Sequence, residues 1–339
     1  MTKAVALLSG GLDSQLAIRL IKDQGIEVIG VNFCSPFFGK SPWVDQAAQY
    51  LNIQVHNIEF GDEYLEILKN PCYGYGKNLN PCIDCHGLML KIAGQYMEKI
   101  GADFLITGEV LRQRPKSQRM DAMRIVENLS GYPGLVLRPL SAKLLPPTLP
   151  EINGQVNRGQ LLDISGRSRK RQMELAIKYN LQDYPSPAGG CLLTVPSFSE
   201  RLKSLLKFNP AANNADFELL KVGRHFFGPD QFYLIVGRKE NENQILNEQA
   251  GLGDTFFRVT THPGPLSVLR RPPHHELSDG TLTLAENIQL AAGITARYSD
   301  AKDLPLVEIE YWVSNQEPQI KEVVPLEPNK VESLLQPKA

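Results

Sequence analysis

Residues 3–33 read KAVALLSGGLDSQLAIRLIKDQGIEVIGVNF. Lys3–Leu8 is a short apolar run, Ser9–Asp13 a turn with two glycines, and Ser14–Lys22 carries Leu16, Ala17, Leu20 and Ile21 at helical spacing. Ile26–Phe33 is a second apolar run. Continuous apolar strands separated by a helix predict a parallel sheet buried on both faces. The pattern recurs downstream, with a helix over Trp43–Leu51, a strand near Gln54–Ile58, a long helix from about Cys85 to Ile100, and the strand FLITG ending at Gly108. This predicts an α/β domain with a doubly wound parallel sheet.

The chain has 339 residues, and 36 basic against 37 acidic side chains give a formal net charge of -1. A hydrophobic fraction of 42% with 22% charged residues is ordinary globular composition and excludes a disordered or fibrous protein. No window approaches 18 uninterrupted apolar residues, so no membrane span is expected. Gly10 interrupts the start before a secretory apolar region builds up, which predicts a cytoplasmic protein. With near-neutral total charge, any nucleic-acid binding must come from local patches. Two such patches stand out: Arg112, Arg114, Lys116, Arg119 and Arg124, and the run GRSRKRQ with Arg167, Arg169, Lys170 and Arg171. The second leads into a helix predicted over about Lys170–Asn180.

Beyond the loop-like KFNPAANNA, the runs FYLIVGR, TFFRV, LSVLRR and VEIEYWV read as strands, and Thr281–Ala296 as a helix. The expected organisation is a catalytic domain over residues 1–207, a smaller α+β domain over 208–325, and a flexible tail over 326–339.

The Ser9-Gly10-Gly11-Leu12-Asp13-Ser14 turn sits between a strand and a helix. Its glycines let the backbone approach a ligand, and the helix start adds free N–H groups and a partial positive charge that suit an anion. Ser9 and Ser14 offer hydroxyls, and Asp13 a carboxylate for Mg²⁺. No Gly-Lys-Ser/Thr follows, so it is not a Walker A loop. S-G-G-x-D-S in this setting resembles the PP-loop of the ATP pyrophosphatases, whose adenine nucleotide alpha hydrolase-like fold transfers AMP from ATP to a substrate oxygen and releases pyrophosphate.

The five cysteines are too few, and odd in number, for a secreted disulfide framework. Cys34 follows a strand and reads as a small buried hydrophobe; Cys72 lies in a loop. Cys82 and Cys85 form a C-x-x-C, and Cys191 follows two glycines. Three soft ligands suit iron–sulfur or zinc, with His86 the nearest fourth ligand for zinc. Following a PP-loop, this trio resembles the iron–sulfur-dependent tRNA-thiolating enzymes related to ThiI and TtuA, and TGEVLRQRPKSQ resembles their second motif. The C-terminal third, FYLIVGRKENENQIL followed by GDTFFRVTTHPGPLSVLRR, resembles the NFACT-R (DUF814) domain associated with RNA binding. The N-terminal THUMP domain of ThiI and the zinc fingers of TtuA are missing from the pattern.

What the resemblance implies is an ATP-dependent tRNA sulfurtransferase. Asp13, Cys82, Cys85 and Cys191 would be catalytic. ATP would lie on Ser9, Gly10, Gly11, Leu12, Asp13, Ser14, Phe33, Gly108, Arg112, Lys116, Ser117 and Gln118, with Mg²⁺ on Asp13 and a [4Fe–4S] cluster on the three cysteines. Arg167, Arg169, Lys170 and Arg171 would bind RNA. The partners implied are tRNA and a sulfur donor: sulfide, a cysteine desulfurase or a sulfur carrier. Two alternatives remain open: a cluster-free 2-thiouridylase of the MnmA type with a persulfide on Cys191, and a non-catalytic RNA-binding protein with a structural zinc.

Overall fold

A computed structural model describes residues 2–39, 41–181, 184–186, 190–228, 231–271, 284–313 and 316–335. The chain divides into two compact units, Met1–Thr194 and Val195–Ala339.

The first unit runs β1 (Lys3–Leu7), α1 (Leu12–Lys22), β2 (Glu27–Cys34), α2 (Pro42–Leu51), β3 (Val55–Glu59), α3 (Asp62–Lys69), α4 (Cys82–Lys99), β4 (Phe104–Ile106), α5 (Met120–Ser130), β5 (Val136–Leu137), α6 (Leu149–Ile152) and α7 (Lys170–Lys178). The five strands order β3-β2-β1-β4-β5 and all pair in parallel. The doubly wound sheet read from residues 3–108 is therefore present. Ala4, Val5 and Ala6 of β1 are fully buried, as a central strand covered on both faces requires. Strand order reverses between β1 and β4, so the crevice beyond their carboxyl ends is where such a sheet receives ligands. The turn Ser9–Gly11 and the segment after Gly108 both emerge there.

In this unit α3, α5 and the short α6 were not anticipated. α3 is only eight residues long, and α5 follows the basic stretch after Gly108. α5 packs closely on α4, and glycines permit the approach. A Cβ at Gly94 would lie 2.0 Å from the Tyr132 ring just beyond α5, and one at Gly87 would lie 2.8 Å from Leu129.

The second unit runs α8 (Pro196–Phe208), α9 (Asn214–Leu219), β6 (Arg224–Phe227), β7 (Tyr233–Val236), α10 (Glu240–Gln249), β8 (Thr255–Val259), β9 (Ser267–Leu269), α11 (Leu284–Arg297), β10 (Val307–Val313), β11 (Gln319–Val323) and α12 (Pro328–Leu334). Its six strands form an antiparallel sheet in the order β11-β10-β8-β9-β7-β6. Phe226, Leu234, Phe257 and Ile309 share a core with Ala291, Ala292 and Ile294 of α11. Helix α8, not anticipated from the sequence, lies in this unit although its residues to 207 were expected in the first domain. The expected helix over Thr281–Ala296 is described from Leu284 onward; 281–283 lie outside the described residues. The expectation of a flexible tail from residue 326 is corrected over Pro328–Leu334, which is helical with Val331 buried, and Leu335 bridges to Phe226. Residues 336–339 lie outside the described ones. Among the described residues, no helix is long and apolar enough to cross a membrane.

Gly94→Leu should overpack the α4–α5 contact and cost about 1–3 kcal/mol in urea unfolding. Adding Tyr132→Ala should recover part of that loss; a double variant no more stable than Gly94→Leu would contradict the contact.

Candidate active site

The turn after β1 is shaped by its two glycines. Gly10 has φ +74, and a Cβ there would lie 2.7 Å from the Trp43 backbone. Gly11 is the N-cap of α1, with no side-chain cap, so the first N–H groups of the helix are free for an anion. Ser14 Oγ donates to the Gly11 carbonyl at 2.8 Å, and Gln15 Nε2 to the Gly10 carbonyl at 2.8 Å, fixing the turn from within. Ser9 Oγ stands 3.5 Å from Ser14 Oγ. Leu12 is buried and anchors the turn in the core. Asp13 Oδ2 accepts from Gln113 Nε2 at 2.7 Å, while Oδ1 is buried with no hydrogen-bond partner. Phe33 lies at the end of β2 with its ring buried against Phe60, centroids 5.2 Å apart.

Gly108 continues β4 into contact with this turn: a Cβ there would sit 2.5 Å from Ser14 N and 2.7 Å from Asp13 C. The following segment reaches outward in steps. Glu109 Oε1 meets His86 Nδ1 at 3.2 Å, and Oε2 accepts from Arg138 Nε at 3.0 Å and from Thr107 Oγ1 at 3.1 Å. Burial alone would push the Glu109 carboxyl up; the Arg138 guanidinium and His86 outweigh it and hold it down at about 2. Arg138 also donates to Glu127 at 3.0 Å. Gln113 joins Asp13 to Gln172 of α7, whose Nε2 donates to Gln113 Oε1 at 3.0 Å.

The three cysteines influence one another electrostatically and so share a neighbourhood. Cys82 is the first residue of α4, partly exposed, with Asn80 Nδ2 donating to its sulfur at 3.2 Å. Cys85 is buried one turn on, its thiol pushed well up by burial and by the neighbouring Cys191 and Cys82 sulfurs. Burial pushes the Cys191 thiol up to about 11; backbone hydrogen bonds and Arg114 pull the other way. The buried Tyr64 hydroxyl of α3 is raised by burial and by the same three sulfurs, so it belongs to the same neighbourhood. One short segment, 108–114, therefore touches the phosphate turn through Gly108 and Gln113 and the cysteine helix through Glu109, with Arg114 beside Cys191.

Among the described residues, no three His, Cys, Asp or Glu side chains form a group able to hold a metal ion. The cysteines share an electrostatic neighbourhood, and burial keeps Cys85 and Cys191 as thiols in the absence of a metal. His86, the zinc candidate, is engaged with Glu109. Asp13 does fit a divalent cation, because its orphaned buried oxygen is an open ligand.

The remaining expected residues fall in two groups. Ser117 and Gln118 are buried and close the basic turn: Gln118 O accepts from Arg112 N at 2.6 Å, and Gln118 Oε1 from Arg114 N at 3.0 Å. Arg112 holds φ +62 in that turn. Lys116 Nζ donates to the Gly74 carbonyl at 2.6 Å and so holds a neighbouring loop. At the start of α7, Arg171 pairs with Asp163 at 2.7 Å, Arg169 Nε is buried without a partner, and Arg167 and Lys170 are exposed. Cys34 is buried beside a separate cleft of about 280 Å³ that includes Asn32, Asn57, Asp45 and Glu59, and Cys72 is exposed; neither joins the trio. Sequence reasoning missed Tyr64, Glu109, Gln113, Arg138 and Gln172. Of these, Glu109 and Gln113 lay inside TGEVLRQRPKSQ and Gln172 ended the run GRSRKRQ, both already singled out, but none of the three was assigned a role.

Residues 1–143 match the family described as Thiamine biosynthesis protein (ThiI), and residues 223–335 match the NFACT protein RNA binding domain. The tRNA-specific 2-thiouridylase MnmA of Pelobacter propionicus is 28% identical over 181 residues, 49% of this chain and 49% of its own length. That of Janthinobacterium sp. is 29% identical over 261 residues, 70% of this chain and 65% of its own. The chain thus spans about half the length of the first of these relatives. Among solved structures, NMN synthetase from Francisella tularensis is 14% identical with a TM-score of 0.27, covering 55% of this chain and 89% of its own. The C-terminal part of a fibronectin/fibrinogen-binding protein from Streptococcus suis is 17% identical with a TM-score of 0.28, covering 49% and 72%. Scores this low carry no argument.

Glu109 gives a pH signature. Its folded value of about 2 lies below the ordinary 4.5, so its contribution is complete above about pH 4.5 and fades as pH falls toward 2; the shift corresponds to about 3 kcal/mol. Arg138→Ala should cost about 3–5 kcal/mol at pH 7, because it strands a buried carboxylate. Urea unfolding at pH 7 and pH 3 should show the variant's deficit shrinking in acid; an equal deficit at both would contradict the pair.

Proposed function

We propose that this chain, a ThiI-type PP-loop domain followed by an NFACT-type RNA-binding domain, is an ATP-dependent tRNA sulfurtransferase that works through a cysteine persulfide. The observation that carries the reading is the segment 108–114, which joins the phosphate turn to the three cysteines. The similarity to 2-thiouridylases supports the persulfide route over the iron–sulfur one.

In this reading ATP lies with its phosphates on the Gly10–Ser14 backbone and the start of α1. Mg²⁺ held by Asp13 would neutralise charge on the phosphates. A uridine carbonyl oxygen attacks the α-phosphorus and pyrophosphate leaves; the resulting AMP ester makes that oxygen a leaving group. The terminal sulfur of a persulfide on Cys191, loaded by a sulfur donor, attacks the activated carbon and AMP departs. The tRNA is then joined to Cys191 through a disulfide bond. Cys82 attacks the Cys191 sulfur, forming a Cys82–Cys191 disulfide and releasing thiouridine, and an external dithiol reduces the pair. Cys82 suits the attack because it is partly exposed, receives a hydrogen bond from Asn80 and heads an 18-residue helix. Arg114 beside Cys191 offsets negative charge on the persulfide. Most of the rate would come from positioning and charge neutralisation.

In this reading the first unit, Met1–Thr194, carries the chemistry, and the second, Val195–Ala339, binds RNA, as do Arg167, Arg169, Lys170 and Arg171 of the first. The expected salt dependence of that binding is steep.

Two variants test the order of events. Asp13→Ala should lower tRNA-dependent AMP formation on the order of 10²-fold with the fold intact. Cys82→Ser should still form AMP but retain tRNA as a covalent adduct that dithiothreitol releases as thiouridine. Free turnover by Cys82→Ser, or a reducible adduct on any residue but Cys191, would sink the persulfide route.

A further inference from the structure

The loop between α3 and α4, residues 70–81, reads NPCYGYGKNLNP and has no part in the chemistry above except for Asn80. It is long for a connection within a compact unit and has no regular structure, which is the usual mark of a binding loop. Yet it is pinned along its length. The buried Asp84 carboxylate accepts the N–H groups of Cys72 at 2.9 Å and Tyr73 at 3.1 Å. Lys116 holds the Gly74 carbonyl, Gly76 N donates to Asn80 O at 2.9 Å, and Asn78 Nδ2 donates to Thr194 O at 2.7 Å. The Tyr75 hydroxyl donates to Leu68 O at 2.8 Å and Lys69 O at 3.0 Å, closing the last carbonyls of α3. Gly76 is required, since a Cβ there would lie 2.3 Å from the Asn80 amide.

So rigid a backbone nevertheless leaves two aromatic rings in solvent: Tyr73 is 43% exposed and Tyr75 37%. The backbone that carries them is fixed, yet neither residue is buried in the core. Asp84 apart, which is buried beneath the loop, the charges borne by the loop and by the segment it is tied to are cationic. The loop has Lys77 and no carboxylate, and the segment it is tied to, residues 110–118, adds Arg112, Arg114 and Lys116 and again no carboxylate; Arg119, next in the chain, is paired with Asp121. Arg112, Arg114 and Lys77 are exposed. At its other end the loop reaches the cysteine site through Asn80 on Cys82.

Fixed, exposed rings among unopposed cations fit one chemistry: unpaired nucleotides, whose bases stack on aromatic faces and whose phosphates take the cations. We propose that the 70–81 loop is the platform that holds the RNA nucleotides flanking the reacting uridine, with Tyr73 and Tyr75 stacking bases and Lys77 and Arg114 meeting phosphates. This rests on the tRNA reading above and adds where the strand lies. A base must leave its helix to be modified, and the platform would hold its neighbours splayed beside the sulfurs.

The test uses the full-length protein and an unmodified tRNA transcript, with Kd from fluorescence anisotropy across a salt series and thiouridine from nucleoside mass spectrometry. Tyr73→Ala should bind about tenfold more weakly with an unchanged salt slope, while Tyr73→Phe, which keeps the ring, should bind like wild type. Lys77→Ala should lower the slope of log Kd against log salt by about one. ATP binding should be unchanged in all three. If wild type binds and thiolates the transcript but Tyr73→Ala binds as tightly, the platform is wrong and the function stands. If wild type neither binds nor thiolates it, both fall.

Discussion

Gly108 lies so close to the backbone of Asp13 and Ser14 that a methyl group has no room between them. This contact joins the end of β4 to the head of α1 at the place where the strand order of the sheet reverses. Everything chemical in the first unit is arranged from it. One residue on, Glu109 reaches the cysteine helix; five residues on, Gln113 reaches back to Asp13; beside it Arg114 stands near Cys191. A sheet crevice by itself offers a place for a nucleotide. Here the segment that leaves the close approach also reaches, through Glu109 and His86, the helix that carries Cys82 and Cys85.

The stiffness of that link comes from charge buried under it. Glu109 is enclosed by Arg138, His86 and Thr107, and Arg138 is shared with Glu127 of α5. A buried carboxylate without its partner is costly, so each member holds the others in place. Because α4 and α5 approach each other at Gly87 and Gly94, the helix that begins with Cys82 is held against the same network. Packing, electrostatics and sulfur position are thus one arrangement.

The phosphate turn was legible because it is local: strand, two glycines, carboxylate and helix lie within twenty residues and need no partner elsewhere. The shared neighbourhood of Cys191 with Cys82 and Cys85 was legible only as chemistry, since an unpaired C-x-x-C and a distant cysteine gain from a common site, whereas the burial that raises their thiols is not carried by the sequence. Tyr64, Arg138 and Gln172 were illegible. Each gains its role from a residue far along the chain, and each looks like an ordinary helical or loop position in sequence. In the second unit the apolar strands were readable, whereas β11, QIKEV, is mostly exposed and lacks a clear alternation, and α12 lies among prolines that suggest a loose end.

The central claim is that phosphate turn and cysteines are one site. A crystal structure with α,β-methylene ATP tests it most directly, because the α-phosphorus marks where the substrate oxygen must be. The account predicts the triphosphate on Gly10–Ser14, with the α-phosphorus facing Cys82 and Cys191 across a space the size of one nucleobase. Nucleotide bound instead in the cleft beside Cys34, or with its α-phosphorus turned away from the three sulfurs, would contradict it.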